Sequence, residues 1–446
     1  MKKKKGKKKE RKIDCAWTAL DKRYEVVFEA THKHYCFISA EQIHGASSDY
    51  PEIKFEPRLL THFDTREQMP TLFTENNLSV LPKDDGYVIG QFDPFVKLSK
   101  NPDKIEVKRV PPRTDLESLN YIPNEAMGIN YAEAYGFIED FIGDGTLTPT
   151  VSGRHGGGDW EYKIPLKKGG LLSLNSGRPQ IEVDGGYESK HSLILIEAKS
   201  RLVGEFCLRQ LYFPFRAWRE RVTKPVRTIF LAISGNDYFF YEFSFPDPLI
   251  FDGRLIRATH YIVDADAISR NELHALWRSA QPEEDLEIPF PQANSIETVL
   301  DVILQIAASD KSGTTISNSD LAKIYGFAGR QGSYYGNTAA YFGFAKRSHV
   351  NGKKKTTNYY YSLTEKGDRY VAQSARGRRL SFFRALMNRP VFYHGYKDQL
   401  ETGVIPSKNK VMRLITIYRP ELGPGTVSRR ADTIISWFRW IDRLTI

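Results

Sequence analysis

The apolar positions of this chain change period several times, and the sharpest change falls near its middle. Leu193-Ile-Leu-Ile is apolar on both faces of a pleat and then turns charged as Glu197-Ala-Lys199. A run of that kind predicts a strand inside a sheet with cover on both sides. Gln180-Ile-Glu-Val-Asp184 ahead of it alternates and predicts a partner strand, with a turn at Gly185-Gly186. Downstream, 204–221 predicts a helix broken at Pro214, and 226–233, 238–243 and 255–262 predict three more strands. Upstream, Tyr131, Tyr135, Ile138 and Ile142 recur at helical spacing, which predicts one helix over 129–142 packed on the sheet. The fold class expected is α/β, more fully α+β: a mixed sheet flanked by helices.

The same reading divides the chain. Residues 1–14 form a basic tail, and 15–112 a mixed support region with a capping-box helix start at Ser39-Ala-Glu-Gln42. The sheet domain spans 113–280, and a Pro- and acid-rich linker spans 281–294. Residues 295–375 show three helices and then a basic turn between two strands. Residues 376–446 are helical, with Ile434, Trp437 and Ile441 as a buried stripe of the last helix.

Charge narrows the partners. The net charge is +10, and the first twelve residues carry nine basic side chains against one acid, so the tail holds most of the surplus. A polyanion is the expected partner. Three cysteines without metal spacing fit reduced thiols, and no apolar run is long enough for a membrane span or a secretory leader, so a cytoplasmic protein is expected.

The chemistry lies at the end of the apolar strand. Glu197 and Lys199, two residues apart, leave the same face of the pleat, and Asp184 can reach the same point. Two carboxylates there make an all-oxygen site for Mg²⁺, and a lysine can orient or deprotonate water and offset phosphoryl charge. A surface ion pair is the plain alternative. Asp184 followed by Glu197-Ala-Lys199 resembles the PD-(D/E)xK nucleases. With "EVDGGYES", "LILIEAKS" and "FCLRQLYFPFR" it resembles their type II restriction endonuclease branch. Val183 stands where many members carry proline.

That resemblance implies a PD-(D/E)xK core in which Asp184 and Glu197 bind Mg²⁺, Lys199 positions the water, and Gln210 and Arg209 assist. Gln210 can instead satisfy a core carbonyl. A further acid from the 129–142 helix is expected, with Glu139 chosen over Glu133 and Asp140. Arg154, in the Gly-rich stretch 153–158, is expected near a DNA phosphate; Arg58 and Arg66 could also meet phosphate, though lone arginines are more often solvated.

The 295–375 pattern, closing on Tyr-Tyr-Ser-Leu-Thr-Glu-Lys-Gly, resembles a winged helix. Arg330, Gln331 and, more weakly, Asn337 would then read bases, and Lys353, Lys354 and Lys355 would contact phosphate. Arg429 and Arg430, at the first turn of the last helix, suggest a second helix-turn-helix-like contact. The implied protein is a prokaryotic, sequence-specific endonuclease for double-stranded DNA, with a cognate DNA methyltransferase as counterpart. Cutting both strands implies a homodimer, although no dimer interface is legible. Two readings compete: a winged-helix DNA-binding regulator that does not cut, and a repair or methyl-dependent nuclease.

Overall fold

The structure, a computed structural model, describes residues 11–46, 56–83, 85–98, 105–111, 113, 124–263, 268–284, 286–325, 331–349 and 359–445. The described residues fall into two compact units. The first lies within 1–106, 123–232 and 239–260, and the second within 107–122, 233–238 and 261–446. Among them no helix is long and apolar enough to cross a membrane.

Seven strands form the main sheet, in the order Glu106–Val110, Arg254–Val263, Asp237–Ser244, Val226–Ser234, Leu193–Lys199, Gln180–Glu188, Thr148–Gly156. Leu193–Lys199 runs parallel to Val226–Ser234 and antiparallel to Gln180–Glu188, so the sheet is mixed. Leu193 through Ala198 are all buried, as the double-faced apolar run requires. The expected turn at Gly185-Gly186 is a continuation of the strand instead; the chain reverses over Ser189–Ser192, where the Ser189 hydroxyl accepts the Ser192 N–H at 2.9 Å. The two glycines serve packing. A Cβ on Gly186 would sit 2.7 Å from Val151 Cβ, and one on Gly185 would sit 3.1 Å from Ile129.

Two further expectations need correcting. The 129–142 helix is two helices, Glu125–Ala134 and Phe137–Ile142, parted at Gly136, whose φ of 71° is left-handed. The 204–221 helix begins at Arg209 and runs through Pro214 to Arg219. Proline removes one backbone donor there, and burial of Tyr212, Phe213 and Phe215 holds the turn together. The residues before it form the strand Glu205–Cys207, paired with Phe95–Lys97. That pairing ties the amino-terminal region into the same unit as the sheet. The rest of that region is a three-stranded antiparallel sheet with helices around it, among them Lys12–Tyr24, whose buried Trp17 packs on Phe73. The Ser39–Gln42 capping box is present in both directions.

In the second unit, helices Ile296–Lys311, Asn318–Tyr325 and Gln331–Tyr341 adjoin a small antiparallel sheet of Ile316–Ser317, Tyr359–Leu363 and Ala345–His349, in that order. Gly332 and Gly336 let the third helix close on its neighbours: a Cβ at either would strike the Asn318 carbonyl or the Tyr361 ring. Buried Asp301 accepts from Ser234 Oγ at 2.5 Å and Tyr325 OH at 2.6 Å. The carboxy-terminal helix Pro424–Leu444 buries Ile434, Trp437 and Ile441, the expected stripe.

Candidate active site

Ladder pairing between Gln180–Glu188 and Leu193–Lys199 stops at Ile196 opposite Gly185. One residue on, Asp184 Oδ2 takes over as acceptor for the Ala198 N–H at 2.8 Å. The Asp184 carboxylate is thereby fixed against the strand that carries Glu197 and Lys199. Glu197 Oε1 receives two donors, Lys199 Nζ and Gln210 Nε2, each at 2.5 Å. Asp184, Glu197, Lys199 and Gln210 are therefore brought together.

The pair is nearly out of solvent, with side-chain exposures of 9% for Glu197 and 14% for Lys199. Burial, opposed by Lys199 and reinforced by Asp184, pushes the Glu197 carboxyl up to about 7. Burial lifts Asp184 as well, against the pull of the Ala198 N–H and Lys199. Burial works to discharge Lys199, but Glu197 beside it outweighs this and holds the ammonium above its ordinary value. Lys199 is therefore charged at neutral pH, suited to neutralising and orienting rather than to taking a proton.

Glu125 is an acid within electrostatic reach of Asp184 that the sequence reading did not single out. It opens the Glu125–Ala134 helix behind the N-cap Asn124, and its Oε1 accepts from Ser200 N at 3.3 Å and Ser200 Oγ at 3.1 Å. Close packing of Ile129 on Gly185 sets that helix against the sheet beside Asp184. The signal was present: Asn124 ahead of Glu125 is an N-cap pattern, hidden by starting the helix at Ile129. Glu139, the chosen acid, accepts the Leu147 N–H and closes the turn after its own helix, while Glu133 accepts Tyr187 OH. Asp64, from the amino-terminal region, lies within electrostatic reach of both Glu197 and Lys199.

Among the described residues no group of three or more His, Cys, Asp or Glu is arranged to hold a metal ion. The site is compatible with Mg²⁺ none the less, because that ion typically uses one or two carboxylates and takes waters and phosphate for the rest. Two local features fit a further polar occupant. Gln210 Oε1 is buried with no partner among the described residues, and a cavity of about 10 Å³, room for about one water, lies beside Glu197, Gln210 and Thr228. Asp184 and Glu197 are both lifted above their ordinary values, a state that a cation would relieve.

The other expected contacts scatter. Arg154 lies on the edge strand opposite Glu182, at 3.8 Å from its carboxylate, and is exposed. Arg209 Nη2 meets His62 Nε2 at 2.9 Å. Arg66 is taken up by Asp93 at 2.9 Å. Gln331 is the half-buried first residue of its helix. Asn337 faces inward: its Oδ1 accepts from Tyr361 OH at 3.2 Å and Arg347 Nη1 at 3.4 Å. Arg429 is exposed and donates to Thr426 Oγ1 at 3.4 Å. Arg430 is half-buried, with Nε and Nη1 unmatched among the described residues, and burial pulls its guanidinium down to about 10. Arg330, Lys353, Lys354 and Lys355 lie outside the described residues.

Three family models match the chain, each described as a domain of unknown function: DUF6996 over residues 14–89, DUF6997 over 90–262 and DUF7226 over 299–445. The Asp184 cluster lies in the second of these, and Asp64 and His62 in the first. No curated protein and no solved structure matches the chain.

Proposed function

We propose that the protein is a Mg²⁺-dependent, sequence-specific endonuclease for double-stranded DNA, of the type II restriction kind. In this reading the first unit carries a PD-(D/E)xK-like core and the second a winged-helix module. The observation that carries it is the meeting of Asp184, Glu197, Lys199 and Gln210 at the end of one buried strand. An inert ion pair would not need a second carboxylate pinned alongside, nor an amide whose free oxygen is buried without a partner.

Asp184 and Glu197 would hold the metal, which supplies Lewis-acid polarisation of the scissile phosphate. The Lys199 ammonium stabilises the charge that builds on the phosphoryl oxygens during in-line attack. Gln210 fixes Glu197 through its amide N–H and offers Oε1 to the attacking water. Water's oxygen bonds to phosphorus as its proton passes to solvent, the P–O3′ bond breaks, and the departing O3′ takes a proton from solvent, leaving 5′-phosphate and 3′-hydroxyl ends. A homodimer would cut both strands, and a methyltransferase of matching specificity would protect the host.

Purified protein incubated with plasmid and Mg²⁺ tests this directly. Discrete fragments are expected. A shift of the DNA without cutting would instead assign the protein to DNA-binding regulators, a reading favoured by the three-helix module with its small antiparallel sheet. Nicking governed by DNA structure, or cutting confined to methylated DNA, would assign it to the repair or methyl-dependent nucleases.

A further inference from the structure

One segment of the amino-terminal region lies against the start of the Arg209–Arg219 helix. His62 Nε2 meets Arg209 Nη2 at 2.9 Å, and four residues on, the Arg66 N–H donates to Glu205 Oε1 at 2.7 Å. The segment 62–66 is thus fastened at both ends to the connection that leads into Gln210. Arg209 directly precedes Gln210, whose amide touches Glu197.

Arg58 and Arg209 can only donate hydrogen bonds. Because Arg209 can only donate, His62 Nε2 must be the acceptor, and the ring proton sits on Nδ1. Crowding by neighbouring protein, together with the charges of Arg209 and Arg58 and against the pull of Asp64, holds this imidazole down to about 4, consistent with the neutral tautomer. Arg58 is exposed on the short helix Pro57–Thr61, one turn before His62, and its carbonyl accepts the His62 N–H at 3.1 Å. Arg209 is steadied on its other side by the Phe213 ring, 5.9 Å from the centroid. Among the described residues neither Arg58 nor Arg209 forms an ion pair with a carboxylate, whereas Arg66 is taken up by Asp93 and Glu205.

Two guanidinium groups that pair with no carboxylate, beside an imidazole N–H and with Asp64 the acid within electrostatic reach of His62, form a site for an anion, and a phosphodiester suits the forked geometry of arginine. We propose that Arg58, His62 and Arg209 hold a backbone phosphate of the DNA strand beside the one that is cut, so that residues 14–89 form part of the substrate site. This rests on the nuclease reading above.

The experiment uses the full chain and its Arg58→Ala and His62→Phe variants, both altering exposed side chains, with Arg58→Lys as the conservative rescue. Binding of a 40-base-pair duplex is measured in Ca²⁺ across a salt series, and plasmid cutting is measured in Mg²⁺. Each lost phosphate contact should reduce the slope of log affinity against log salt by about 0.9. Arg58→Ala should show that change, bind about tenfold more weakly at moderate salt, and raise KM with kcat held within about twofold. His62→Phe, which frees Arg209, should weaken binding by a smaller factor, and Arg58→Lys should recover most of the slope. If the unaltered protein cuts DNA while both variants keep its slope and KM, the phosphate site is overturned and the nuclease stands. If the unaltered protein neither binds nor cuts duplex, the nuclease reading falls and takes this site with it.

Discussion

The end of the Leu193–Lys199 strand and the Gln331–Tyr341 helix were both expected to present chemistry, and they behave differently. On the strand, Glu197, Lys199 and the pinned Asp184 meet as the residue spacing suggests. On the helix, Asn337 turns inward, where Tyr361 and Arg347 use its carbonyl. A strand offers two faces, and a charged pair following a doubly apolar run has few places to go. A helix offers a full circle, and neighbouring elements decide which arc stays open. Polar residues on an isolated strand end are therefore the firmer guide to a site.

The largest effect expected from breaking that contrast is on the strand. Lys199→Ala or Asp184→Ala should lower Mg²⁺-dependent cleavage on the order of a thousandfold while leaving duplex binding in Ca²⁺ nearly intact. Undiminished cutting by either variant would remove the strand end from the chemistry. Next comes the core of the second unit. Trp437 is fully buried, stacked on Phe392, with its indole N–H on the Ala293 carbonyl at 2.7 Å. Trp437→Ala should cost about 3–5 kcal/mol in urea unfolding.

A smaller loss is expected at Gly186, where an alanine Cβ would press within 2.7 Å of Val151. Overpacking of that kind typically costs about 1–3 kcal/mol, and thermal unfolding of Gly186→Ala would report it. The proposed metal site should also respond to pH. Because burial lifts Glu197 to about 7, a cation must displace its proton at lower pH. The sign is therefore that affinity falls as pH falls: titration with Ca²⁺ should weaken about tenfold per unit below pH 7 and level off above it. An affinity that does not change between pH 6 and 8 would mean that Glu197 is not a ligand. The smallest effect is expected on the helix. Asn337→Ala should lose about 1 kcal/mol of stability with no change at any single base position of the recognised site. A selective loss at one base pair would restore Asn337 as a reading residue.

How far the sequence carried can be followed residue by residue. The alternation of 180–184, the apolar run 193–196 and the charged tail at 197 and 199 set the strands and three members of the cluster, because a period of two is imposed by the backbone itself. In 295–375 the three helices and the two strands after them were legible from local pattern, but the short strand Ile316–Ser317 between the first two helices was not. Local pattern was not enough to place the helix break at Gly136, and starting the helix at Ile129 rather than behind the Asn124 N-cap left Glu125 unseen while Glu139 was preferred.

What only the tertiary structure decided are the meetings across long stretches of chain. His62 and Arg209 are 147 positions apart, and Glu125 and Ser200 are 75 apart. Such contacts depend on how closely a helix can approach the sheet, here through Gly185, and on the pairing of Phe95–Lys97 with Glu205–Cys207. Neither is written in any short window. The sequence determined which side chains lie along each element, since spacing along a backbone is covalent. Which of them face one another was settled by packing, since close approach depends on the volumes of residues far away in the chain.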